Sequence, residues 1–319
     1  MLNHLIYLSL CALVNPLLWG LYISNYSPEK HYRFANNSQF IGSGYDFSGV
    51  GMNLLYDQSS TNGLWATMIS PNVFITCEHW YQKEGTTIDF WADNDFSNNV
   101  TRTTSSNGQR IGKTDLWLGT LDQALPSNYT YYDISNGFKD PFDQNNTVFS
   151  VGIHHKVVNN VVVERTEFVV DHQKIDSSTL FNITDDGGAT GKALKSTLSA
   201  TNPSYTEYGD SGSPIFLFDN NKLSLLGITW AGDPPDSPDT SSYTDVNNNG
   251  IYDPYIDISL KDTTIFTDLK SYNTEIKDYI KLHAIPEPAT ILGVLPIAIF
   301  GMFRFLRKRA EQKDNKILK

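Results

Sequence analysis

The 319-residue chain reads as an all-β protein. Short apolar, β-branched and aromatic runs recur between turns rich in Gly, Asn, Ser and Thr. Helical periodicity is absent until residues 265–280, where Leu269, Tyr272, Ile276, Tyr279 and Ile280 fall at helix spacing. The length and aromatic content suit one large all-β domain or two packed small barrels. In chain order, residues 64–69 predict a strand, Ser70-Pro71-Asn72 a turn, and residues 73–76 a second short strand. That strand delivers Cys77-Glu78-His79 at its end, where side chains leave a sheet and can meet a cleft. Residues 115–121 form an apolar segment that opens on Asp115. Val157-Val158 and Val161-Val162-Val163 flank Asn159-Asn160 and predict a hairpin. Residues 215–218 and 225–232 predict two further apolar strands, and the chain's one helical pattern closes the domain.

The formal net charge is −11. Within the main domain there is no Lys/Arg stripe, which argues against a nucleic-acid partner. The basic residues that do cluster stand at the extreme C-terminus. There are 2 cysteines, Cys11 and Cys77, and Cys11 lies in an apolar N-terminal stretch. The mature domain is therefore expected to have one thiol and no internal disulfide. Cys77 is expected as a small buried apolar residue, with a free reactive thiol as the other reading. Stability must come from the apolar core, for which about 250 residues suffice.

Both ends read as targeting segments. Residues 5–21 are apolar, short for a span and interrupted by Pro16, so residues 1–24 read as a secretory signal or an uncleaved anchor. Residues 25–39 are expected to be a linker or pro-segment. At the other end, Pro286-Glu287-Pro288 precedes an apolar run over 289–303, followed by Arg304, Arg307, Lys308 and Arg309. The run is barely long enough to cross a bilayer, and the basic residues would hold its far end in the cytoplasm. Either a sorting signal or an ordinary tail anchor fits 284–319. Both place the domain, 40–283, outside the inner membrane, as an exported or envelope-attached protein.

The chemistry concentrates in Gly209-Asp210-Ser211-Gly212-Ser213-Pro214. A serine between glycines on a tight turn lets the backbone approach a substrate carbonyl. The N–H groups of Gly209 and Ser211 could then meet at an oxyanion. A serine needs a base, and the base an orienting acid. His79 is the candidate base because of the strand that precedes it. Asp115 is the candidate acid, at the mouth of an apolar strand. Asp89, Asp93 and Asp95 compete for that role from a polar stretch, and Asp122 from just before a turn.

These segments resemble the trypsin-like (chymotrypsin-fold) serine proteases. Met68-Ile69-Ser70 and Phe74-Ile75-Thr76-Cys77-Glu78-His79-Trp80 are similar to the family's Leu-Ile-Ser … Val-Leu-Thr-Ala-Ala-His-Cys. Asp115 to Leu121 resembles Asp-Ile-Ala-Leu-Leu-Lys-Leu more loosely. Gly209 to Pro214 resembles Gly-Asp-Ser-Gly-Gly-Pro, with Ser213 replacing a glycine. Leu225 to Gly232 resembles Leu-Val-Gly-Ile-Val-Ser-Trp-Gly. The resemblance implies two packed six-stranded antiparallel β-barrels with a C-terminal helix. It implies a serine endopeptidase that needs no cofactor, with His79 as base, Asp115 as orienter and Ser211 as acyl-forming nucleophile. It also implies that Asp210 pairs with a new N-terminal amine. Phe40 to Asp46 resembles the family's start, although no basic residue stands directly before it. Tyr205, Thr229, Trp230 and Ala231 are expected to wall the specificity pocket. No strict preference for Arg or Lys is expected, because Tyr205 stands where an aspartate would select them. The C-terminal arrangement resembles the bacterial PEP-CTERM sorting signal, which implies an exosortase-type enzyme as partner.

Residues 245–253 resemble a calcium loop, with Asp245, Asn247, Asn249 and Asp253 as oxygen ligands and Gly250 at the turn. The twelfth position is Ile256 where Glu is expected, so an Asn-rich turn is an equal reading. A catalytically silent relative that binds peptide or matrix is the alternative function. An α/β-hydrolase is disfavoured, because its histidine follows the serine and only His283 does so here.

Overall fold

The structure is a computed structural model. It describes residues 21–23, 25–35, 38–54, 63–138, 147–158, 161–175, 180–185, 187–197, 204–206, 209–219, 222–233, 251–252 and 263–285. The strands are β1 (Tyr22–Ile23), β2 (Val50–Met52), β3 (Trp65–Met68), β4 (Val73–Thr76), β5 (Thr87–Trp91), β6 (Asn99–Thr103), β7 (Gln109–Arg110) and β8 (Trp117–Thr120). They continue with β9 (Thr147–Val158), β10 (Val161–Lys174), β11 (Phe181–Thr184), β12 (Thr190–Thr197), β13 (Ser204–Tyr205), β14 (Pro214–Asp219), β15 (Lys222–Asp233), β16 (Ile251–Tyr252) and β17 (Thr263–Asp268). Helix α1 is a single turn at Pro28–His31, and α2 spans Asn273–His283.

Two large sheets result. The first has seven strands in the order β6-β5-β2-β3-β4-β8-β7, with every pair antiparallel. The second runs β10-β9-β14-β15-β17-β12-β11, also antiparallel, with the two-residue β16 added in parallel at its edge. The all-β expectation, with one C-terminal helix, holds. The expectation of two closed six-stranded barrels does not: each sheet has seven antiparallel strands, and neither closes. In the first sheet an isolated bridge between Thr104 and Leu121 brings the ends together without a ladder. In the second, β9 and β10 form a hairpin of 12 and 14 residues whose outer strand stays at the edge.

Local chemistry explains most elements. The strands 73–76 and 215–218 expected from β-branched and aromatic runs are β4 and the centre of β14. Val161 pairs with Val158, as the Asn159-Asn160 hairpin signal requires. The helix begins later than the periodicity suggests. Residues 263–268 are β-branched and aromatic, so they extend as β17 between β15 and β12. Asp268 then caps a 3-10 turn at Leu269–Tyr272, accepting from Ser271 N at 3.2 Å and Ser271 Oγ at 2.6 Å. Leu269, Ile276 and Tyr279 join the main core, which also holds Trp65, Val73, Ile75, Phe149, Phe168 and Phe216.

Within residues 25–39, expected as a linker or pro-segment, the described stretch 25–35 makes contacts to both sheets. Arg33 is buried and bonds the carbonyls of Trp91 (3.0 Å) and Asp93 (3.2 Å) and Asn94 Oδ1 (3.1 Å). Its guanidinium carbon lies 4.7 Å from the ring centre of Phe168 and 5.1 Å from that of Phe34. Burial pulls its pKa down to about 10, so it stays charged at neutral pH. Arg33 N also donates to Phe168 O on β10, at 2.9 Å. Tyr26 stacks on His154 at 3.8 Å and its hydroxyl bonds Glu167.

The expected apolar span at 289–303, the sorting tripeptide and residues 1–20 lie outside the described residues. Among those described, no helix is long and apolar enough to cross a membrane. Removing the Arg33 guanidinium would leave three acceptors around the 91–98 loop without their partner. Arg33→Ala is expected to cost about 3 kcal/mol, read from urea denaturation; a change within about 0.5 kcal/mol would show that the 25–35 segment is not structural.

Candidate active site

The site is assembled where the ends of β4 and β8 meet the turn before β14. Strand β4 pairs with β8 so that Thr76 faces Trp117, which sets the residues following β4 beside those preceding β8. Asp115 is 0% exposed. The loop that carries it is fixed by its own bonds: Thr114 Oγ1 to Ile111 O at 2.7 Å, Leu116 N to Thr114 Oγ1 at 3.2 Å, and Arg110 Nε to Thr114 O at 2.7 Å.

A carboxylate without exposure needs donors, and Asp115 has three. Its Oδ1 accepts the backbone N–H of Glu78 at 3.0 Å and of His79 at 2.9 Å. Its two oxygens lie 2.9 and 2.8 Å from His79 Nδ1. A carboxylate there requires the proton of neutral imidazole on Nδ1, which leaves Nε2 as the basic nitrogen. The His79 side chain is 40% exposed, so the ring stands at the mouth of the site. Trp80 stacks beside it, with ring centres 6.2 Å apart. Burial opposes the imidazolium; the Cys77 sulfur and the Asp115 carboxylate outweigh it and hold the His79 pKa well above its ordinary value. Burial pushes the Cys77 thiol up. The sequence predicts Cys77 as a small buried apolar residue or a free reactive thiol, and gives no sign of its neighbour. It is buried and unbridged, and its sulfur lies beside the imidazole.

The serine turn depends on two glycines in the left-handed region, Gly209 at φ 100° and Gly212 at φ 88°. A Cβ on Gly212 would collide with Thr76 Oγ1 and lie 3.3 Å from Cys77 Sγ. The turn therefore touches the end of β4 at the residue directly after Ser211. It is tied to β15 by Gly212 N to Thr229 O (2.9 Å), Thr229 N to Ser213 O (2.8 Å) and a hydroxyl pair between Ser213 and Thr229 at 2.8 Å. Trp65 Nε1 ties it to the first sheet by donating to Gly209 O at 3.1 Å. Ser211 is half-buried. Among the described residues no hydrogen bond uses its hydroxyl or the N–H of Gly209 or Ser211.

Asp210 is buried and accepts the N–H of Ile153 at 3.0 Å. A Cβ on the neighbouring Gly152 would lie 2.7 Å from Asp210 Oδ1 and 2.5 Å from Leu21 Cβ. Among the described residues Leu21 lies near Asp210, and its N–H bonds Ile153 O at 2.6 Å. Phe40, in the uncleaved chain, is packed in the core.

The expected pocket wall is only partly in view. Thr229 is buried behind the turn, and Ala231 is half-buried. Trp230 is 2% exposed: its indole packs with Ile183, Ala193 and Ile265 and donates to Asp185 Oδ2 at 3.0 Å. The backbone of Tyr205 pairs with Tyr22, and its side chain lies outside the described residues. Asp245, Asn247, Asn249 and Asp253, the expected calcium ligands, lie outside them too.

No protein-family model and no curated protein matches this chain. The His79–Asp115 contact gives a direct test. NMR titration should place the His79 pKa above the ordinary 6.5, and Asp115→Asn should lower it by about 1 unit or more; an unchanged value in the variant would show that the carboxylate does not hold the charge.

Proposed function

We propose that the chain is a serine endopeptidase, exported and held at the cell envelope through its terminal segments. The observation that carries this reading is the buried Asp115 carboxylate fixed on His79 Nδ1, beside a Gly-Asp-Ser-Gly turn that touches the same strand end. In the proposed reaction Ser211 Oγ attacks the scissile carbonyl while His79 Nε2 takes its proton. Asp115 steadies the imidazolium that forms. The N–H groups of Gly209 and Ser211, unused within the described residues, stabilise the oxyanion. His79 then returns the proton to the leaving amine, and water completes hydrolysis of the acyl-enzyme.

The pairing proposed for Asp210 involves the stretch at Leu21, which already lies against the Gly152–Asp210 contact. Processing of the N-terminal apolar segment near that point would bring a new amine to the turn. At the other end, the PEP-CTERM-like tail would present the domain to an exosortase-type enzyme.

The second reading, a silent relative that binds peptide or matrix, has one observation on its side: no hydrogen bond joins Ser211 Oγ to the imidazole. A fluorophosphonate probe decides between the two. Under the peptidase reading the probe labels Ser211, and Ser211→Ala abolishes labelling and lowers kcat by about 10⁴-fold or more. A folded protein that neither labels nor hydrolyses peptides overturns the reading. A peptide library should show no strict cleavage after Arg or Lys; a sharp basic preference would remove Tyr205 from the pocket.

A further inference from the structure

We propose that Cys77, His79 and Asp115 form an inhibitory site for a thiophilic divalent cation, with Zn²⁺ as the ion that fits best. The term "inhibitory" rests on the peptidase reading; the binding does not. The ligand atoms of these three residues all lie within 4.8 Å of one another. Two come from one strand end, Thr76-Cys77-Glu78-His79, and the third from the loop pinned against it by the two backbone bonds to Asp115 Oδ1. One thiolate, one imidazole and one carboxylate are a mixed set that suits zinc and leaves its fourth position open. Tetrahedral zinc at ordinary bond lengths needs ligand atoms about 3.3–3.6 Å apart. The imidazole and carboxylate, now 2.8 Å apart, must separate slightly. The imidazole, at the exposed mouth, can turn to do so.

The third ligand distinguishes this site from an ordinary His–Asp pair. In the family segment that this stretch resembles, alanine stands at the position of Cys77. Here a buried sulfur lies within 4.8 Å of the imidazole ligand atom and 3.3 Å from where a Gly212 Cβ would be. Peptide hydrolysis, as proposed, makes no use of it.

The chemistry of capture explains the inhibition. Zinc takes the place of the proton on Nδ1, and that proton moves through solvent to Nε2. The thiol loses its proton to bulk water and binds as thiolate. From neutral imidazole one zinc enters and one proton leaves; from the imidazolium, whose Nε2 already carries a hydrogen, the Nδ1 proton leaves as well, and no oxidant or reductant takes part. The imidazole remains neutral but now carries its hydrogen on Nε2. It can no longer accept the Ser211 proton, and Asp115 is bound to the metal.

The experiment uses the full chain, titrated with zinc by calorimetry, with fluorophosphonate labelling of Ser211 followed at each occupancy. One zinc per chain is expected, with labelling falling in proportion and returning on addition of a chelator. Cys77→Ala, with each point taken relative to that variant's own metal-free labelling, should need about 100-fold more zinc for the same fractional loss. Cobalt substitution of the unaltered protein should give a thiolate-to-metal charge-transfer absorption, which does not depend on the variant's folding. Zinc binding of unchanged affinity in Cys77→Ala, or cobalt bound without thiolate absorption, overturns the proposal, as does an active protein that binds no zinc. Zinc bound through Cys77 in a protein that never labels at Ser211 would leave the metal site standing and remove the peptidase reading.

Discussion

The carboxylate of Asp115 is the constraint around which the site is built. With no exposure to water, it is tolerable only because two backbone N–H groups and an imidazole address it. Those donors belong to Glu78 and His79, so the carboxylate fixes the course of the chain leaving β4 and the tautomer of the ring together. The pairing of β4 with β8 brings the two chain ends near each other, and the polar contacts then fix the geometry. Replacing any donor would leave a charge stranded in an apolar surround, which is far more costly than losing a hydrogen bond at a surface.

The serine turn is held from three directions. Trp65 grips Gly209 from the first sheet, Thr229 grips Gly212 and Ser213 from the second, and Ile153 grips Asp210 from β9. Glycine at 209 and 212 permits the backbone twist, and at 212 it also permits the close approach to Thr76. The Ser213 hydroxyl, where the resembling family has glycine, is satisfied by Thr229 and so costs little in a buried place. Ser211 thus sits on a rigid mount while its own hydroxyl stays unengaged.

How much of this was legible in the sequence follows from the range of each interaction. His79, Asp115 and the 209–214 turn could be read because each sits at the end of an apolar run, and the run itself is a local signal. The hairpin at Asn159-Asn160 was legible for the same reason. Sheet closure was not, because it depends on register between strands far apart in sequence, and here the register leaves seven antiparallel strands in each sheet without closing it. The direction of Trp230 was hidden too: it is settled by Asp185, 45 residues away. The helical reading of 265–268 failed where β-branched residues met two waiting strand partners, an outcome that spacing alone cannot reveal. Arg33 gave no local sign that it would fold inward, since its acceptors lie 58 to 61 residues further on. The apposition of the Cys77 sulfur to the imidazole depends on how the chain turns after β4, which alternation within a strand does not specify.

The placement of Arg33 and Leu21 on one continuous stretch has a mechanical corollary. That stretch works as a buckle: one end fastens the loop after β5, and the other lies against the bed of the serine turn. A deletion that removes the stretch from Leu21 through Arg33 would unfasten both at once. The two halves of the molecule would lose a shared restraint, although every residue of the reactive constellation would remain in the chain.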